Sequence, residues 1–133
     1  MKQIANSSFS DAALNQLGIS HCEFPYRNGG LLFCKIPSTK MTFDLQYSQD
    51  GTVRLWRFVG CTEPSKAGMR CEYRDPNHPH SIIGVEVSDE SEVMLYAEQL
   101  FACDDKQREK RLIKMIEGYL KLISNLPVQI LSW

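Results

Sequence analysis

A chain of 133 residues has room for one domain of common size and buries enough surface to fold without metal or disulfide staples. Hydrophobic side chains make up 43% of it and aromatics 10%, which excludes a disordered chain. With 15 basic and 16 acidic residues the formal charge is −1, so no global field steers the molecule to nucleic acid or to an anionic membrane.

No apolar run approaches the roughly 20 residues of a membrane helix, and Met1 to Asn15 lacks the apolar stretch of a secretory signal. The five cysteines, Cys22, Cys34, Cys61, Cys71 and Cys103, are odd in number and widely spaced. The expectation is therefore free thiols in a reducing, cytoplasmic compartment.

In chain order, Met1 to Ser8 is polar and reads as a frayed start. Ser10 is a good N-cap for a short helix from Asp11 to Leu17, with Gly18 as its stop. His21 to Tyr26 is a strand that Pro25 pushes toward a sheet edge. Asn28-Gly29-Gly30 is a turn signal, and Leu31 to Ile36 is the next strand. Thr42 to Tyr47 and Thr52 to Val59 form a hairpin around Ser48-Gln49-Asp50-Gly51, since Asp-Gly accepts the positive φ such turns require. Gly60 to Ser81, rich in Pro and Gly, reads as a long irregular segment with room for a short strand at Arg70 to Tyr73. Ile82 to Val87 and Glu92 to Leu100 form a further hairpin.

The best helix is Asp105 to Asn125, with Asp104 as N-cap and Gln107 completing a capping-box pattern. Leu112, Ile116, Tyr119, Ile123 and Leu126 recur at helical spacing, and Lys106, Lys110, Lys114 and Lys121 occupy the opposite face. Pro127 ends the helix, and Val128 to Trp133 is a short apolar tail suited to an edge strand. Short turns between successive strands predict the α+β class. Residues 1–133 form a single domain, an antiparallel sheet packed against a short N-terminal helix and a long C-terminal amphipathic helix.

The chemistry-bearing residues are sparse. Cys61, Cys71, His78 and His80 are zinc-ligand types in one segment, but no close Cys pair exists to grip an ion. His21 and Cys22 are adjacent on a strand and so point to opposite faces. No nucleophile elbow, P-loop or dinucleotide fingerprint occurs. Lys106, Arg108, Lys110, Arg111 and Lys114 cluster locally, yet lysines behind an apolar stripe form a solvated helix face. Neither a cofactor nor a catalytic residue is indicated, and nucleic acid is an unfavoured partner.

Protein binding has a better signal. The Thr52 to Val59 strand is apolar on both sides, with Val53, Leu55 and Val59 on one and Trp56 and Phe58 on the other. A sheet covered on one face alternates cleanly instead. Arg54, Trp56, Arg57 and Phe58 have the composition of an interface hot spot. The hairpin admits two registers. A two-residue loop pairs Leu45 with Trp56, whereas a three-residue loop with a bulge at Gly51 sends Trp56 and Phe58 to the reverse of the Phe43 face.

The order of elements resembles the type III secretion chaperone fold and the small YbjN-like proteins. The likeness is carried by Leu17-Gly18-Ile19, Leu31-Leu32-Phe33, Phe43 to Tyr47, Asp50-Gly51 leading into Val53-Arg54-Leu55-Trp56, and Val93-Met94-Leu95-Tyr96-Ala97 before the long helix. The resemblance implies a non-enzymatic, usually dimeric protein that holds a partner chain on an apolar sheet surface. The expected function is thus protein binding, chaperone-like or adaptor-like. The rivals are an immunity or inhibitor protein that blocks one toxin or enzyme, and a small enzyme or metal protein built on Cys61 to His80.

Overall fold

The computed structural model describes residues 3–37, 39, 41–74, 81–102 and 104–124, with side chains throughout except at 3–9 and Ser81. Helix α1 spans Gln3–Gln16, and α2 spans Arg108–Ser124. Between them run β1 (Ser20–Tyr26), β2 (Gly29–Lys35), β3 (Thr42–Ser48), β4 (Thr52–Cys61), β5 (Arg70–Arg74), β6 (Ser81–Val87) and β7 (Glu92–Leu100). The seven strands form one antiparallel sheet in the order β1-β2-β3-β4-β7-β6-β5. The α+β class is therefore as expected.

Two helix starts differ from expectation. Helix α1 begins well before Asp11, so Ser10 is an interior residue, buried and with no partner for its hydroxyl. Helix α1 packs against α2 and buries Ala13 and Leu14 in the core. Helix α2 begins later than Asp105, because Asp105 organises a turn ahead of it. Its carboxylate accepts from the Gln107 amide at 2.9 Å and pairs with Arg111, so the Asp104 capping box does not form. The end of α1 is as expected. Gly18 has φ +72° and donates to the Asn15 carbonyl, while Ile19 donates to Leu14, the paired bonds of a Schellman stop.

Pro25 does lie on an edge strand. The first turn is tighter than expected: Arg27-Asn28 makes the connection and Gly29 and Gly30 belong to β2. The segment from Gly60 to Ser81 holds the end of β4, a 3-10 turn at Pro64–Lys66, and β5. His78, His80, Cys103, Asn125 and the Val128 to Trp133 tail lie outside the described residues.

The hairpin takes the three-residue loop, with Leu45 opposite Leu55 and Tyr47 opposite Val53. Gly51 selects this register. It has φ +98°, its carbonyl accepts from the Phe101 amide at 2.8 Å, and a Cβ there would sit 2.2 Å from the Phe101 oxygen. Leu32, Phe43, Leu45, Val53, Leu55 and Leu95 consequently share one face. Ala13, Leu14, Leu112, Ile116 and Tyr119 of the helices complete the core there.

Two tyrosines bridge strands across glycines. Tyr47 lies over Gly30 and bonds Glu23 on β1, and Tyr96 lies over Gly84 and reaches Arg70 on β5 at 3.1 Å. A Cβ on Gly84 would sit 2.5 Å from the Tyr96 ring, which Arg54 holds down from above at 4.2 Å. Gly84→Ala is expected to cost about 1–3 kcal/mol by overpacking. Gly118→Ala, on an exposed turn of α2 where a Cβ meets nothing, should instead add roughly 0.5–1 kcal/mol. Urea unfolding of the two variants checks the contrast, and equal effects would refute the bridging role of Tyr96.

Candidate functional site: the open face of the sheet

Both helices pack on the Leu45 face, so the alternate residues of every strand form a second surface. Its central row runs Cys22, Phe33, Asp44, Trp56, Tyr96, Gly84, Glu72 from β1 to β5. The neighbouring rows contribute Phe24, Leu31, Gln46 and Arg54 on one side, and Phe58, Met94 and Glu86 on the other.

This surface is apolar and solvent-facing at once. Phe24 is 53% exposed, Phe58 47% and Phe33 44%, and Trp56 is half-buried. Phe24 and Phe33 meet edge to face with centroids 5.0 Å apart, which fixes both rings in place. Tyr26 is also exposed and accepts from the Gln46 amide across β2 at 2.9 Å. Asp44 stands between Phe33 and Trp56, and partial burial among apolar groups raises its carboxyl pKa.

Next to the aromatics lies a polar hinge of fixed geometry. Arg54 pairs with Glu86 at 2.8 Å and stacks on Tyr96. Burial raises the Tyr96 phenol pKa, so the ring stays neutral as it receives the Arg70 bond. Gln46, Arg54, Trp56, Glu86 and Met94 line a shallow hollow of about 190 Å³. The Nε of Arg54 is buried at its base without a partner.

Of the residues singled out from sequence, Arg54, Trp56 and Phe58 share this surface. Arg57 does not. It lies opposite Leu95 on the helix side, where its guanidinium donates to the Thr42 carbonyl. A side chain next to Trp56 in a regular strand must face the other way. Phe24, Phe33 and Met94 went unnoticed because they join the patch only through strand order.

The rival constellations do not converge. Cys61 on β4 and Cys71 on β5 are separated by β7 and β6, about 14 Å at ordinary strand spacing. Among the described residues no group of three His, Cys, Asp or Glu is placed to hold a metal. Cys22, Cys34, Cys61 and Cys71 are free thiols, and burial pushes the Cys34 thiol up to about 12, which leaves it unreactive. His21 turns to Asp11 at 3.0 Å while Cys22 faces the other side, so the pair shares no proton. In the basic cluster, Arg111 is engaged with Asp105.

One further concavity, of about 500 Å³, lies on the helix side between α2 and the β6–β7 strands. Ile83, Ala97, Met115, Gly118 and Leu122 make it apolar, with Lys114 and Lys121 also lining it. Among the described residues no helix is long and apolar enough to cross a membrane. No protein family, curated protein or solved structure matches the chain.

Proposed function

We propose that this chain is a non-enzymatic binding module, chaperone-like or adaptor-like, that holds another protein on the open face of its sheet in a reducing compartment. The carrying observation is the cluster of Phe24, Phe33, Trp56 and Phe58 on a face that neither helix covers. Scattered exposed apolar residues need no explanation, but four large aromatics on one uncovered face, Phe24 with Phe33 on one side of Asp44 and Trp56 with Phe58 on the other, mark a contact site. Aromatic anchors next to an arginine are the residue types that carry interface energy. The chemistry is surface complementarity. Aromatic rings bury apolar area on the partner, and Asp44 and the Arg54–Glu86 pair set polar register around them. An immunity or inhibitor protein would use such a face equally well. It differs only in that its partner is a single toxin or enzyme.

The test is capture by the full chain from its native cell, compared between wild type, Trp56→Ala, Phe58→Asp and a helix-side control, Lys114→Asp. One stoichiometric protein should be recovered with wild type and the control and lost with Phe58→Asp. Titration with that purified partner should show Trp56→Ala weakening association by about 1–2 kcal/mol. A partner that binds all four chains equally would overturn the reading.

A further inference from the structure

Among the described residues the sheet has two edge strands, β1 and β5, and they are built differently. On β1 the residues flanking the Arg27-Asn28 turn, Tyr26 and Gly29, bond each other, so the backbone of His21, Glu23 and Pro25 faces outward. Pro25 removes a donor from that edge and blunts it. On β5 the backbone of Arg70, Glu72 and Arg74 faces outward by the same alternation, because Met69 accepts inward from Val87. No proline interrupts β5, and all five of its residues are exposed.

We propose that β5 pairs with β5 of a second copy of this chain, antiparallel about a two-fold axis at Cys71. Charge self-complementarity sets the register of such a pair. An antiparallel two-fold pairing of like faces must centre on one residue. Centring on Glu72 would set Glu72 against its own copy and Arg70 against the copy's Arg74, all like charges. Centring on Cys71 sets Arg70 against the copy's Glu72, and Glu72 against the copy's Arg70. Arg70 and Glu72 already pair within the strand at 3.1 Å. The two copies would close a ring of four alternating charges on the open face.

The other side of the strand agrees. This register sets Tyr73 against the copy's Met69, which are 62% and 46% exposed in the single chain. Tyr73 pairs in turn with Ile83, 43% exposed and at the wall of the helix-side groove. Pairing would therefore cover the apolar residues at this end of the sheet. Centring on Tyr73 would satisfy the charges too, but would leave Met69 without this contact. The aromatic face around Trp56 remains available to a different partner.

The cysteines report the geometry. Cys71 would stand opposite its own copy as a non-hydrogen-bonded pair, with Cα atoms about 4.5 Å apart. Cys22, exposed on the aromatic face, would be remote from the axis. The full chain should show twice its mass in light scattering. A short bismaleimide should link the copies in wild type and Cys22→Ser but not in Cys71→Ser. Glu72→Arg should raise the dimer dissociation constant at least about tenfold, and Arg70→Glu with Glu72→Arg should restore it, far-UV circular dichroism confirming that each variant is folded. A monomer at high concentration would overturn the proposal. So would cross-linking that needs Cys22 rather than Cys71, or a folded charge swap that fails to restore pairing.

Discussion

Ile116→Ala is expected to lower the unfolding free energy by about 2–5 kcal/mol. The side chain is fully buried and sits mid-way along the α2 stripe of Leu112, Ile116, Tyr119 and Ile123, the residues of the helix that reach the core. Its neighbours cannot collapse into the space left behind. Tyr119 is held by a 2.6 Å bond to the Leu95 carbonyl and by an edge contact with Phe43 at 6.0 Å. The cost should therefore include a cavity as well as the lost transfer energy. Lys114→Ala, on the exposed side of the same helix, should change stability by no more than about 0.5 kcal/mol. Urea unfolding of both variants provides the comparison. Equal losses would mean that α2 is rotated about its axis.

The α2 stripe and the strands were legible because each rests on a local period, and every strand expected within the described residues recurs within a few residues of its place. What was not legible depends on partners distant in sequence. Both loop types fit Ser48-Gln49-Asp50-Gly51, and the choice between them is made by Phe101 pressing on Gly51. The insertion of β7 between β4 and β6 follows no local signal, yet it places Met94 and Tyr96 beside Trp56 and Phe58. The early start of α1, through a polar stretch of weak helix propensity, likewise has no signal at Ser10 or Asp11. At the candidate site, the two-sided apolar character of β4 was enough to find Trp56 and Phe58. The inclusion of Arg57 ignored the period of two that separates it from Trp56. Phe24 and Phe33 required the β1-β2-β3 order before their rings could be placed on the same face.

The largest response to solution conditions should come on the alkaline side. Cys34 is buried on β2, and loss of solvation raises its thiol from an ordinary 9.0 to about 12. Asp44 raises it further, and the Leu45 backbone opposes the shift. Burial also raises the Tyr119 phenol above its ordinary 10.0. In the unfolded chain both groups give up their protons first, so between the two sets of pKa values the native state holds more protons. Stability must then fall as pH rises. The contribution is complete below pH 9, where both groups are protonated in either state. Above that, Cys34 alone should remove about 1.4 kcal/mol per pH unit, and the slope should steepen past pH 10 as Tyr119 joins it. Urea midpoints taken under reductant from pH 8 to 11 should trace this decline in wild type. Cys34→Ala should flatten its first part and Tyr119→Phe its second, since each removes one proton from the balance. Decline curves that run parallel in all three proteins would assign the alkaline sensitivity to groups other than these two.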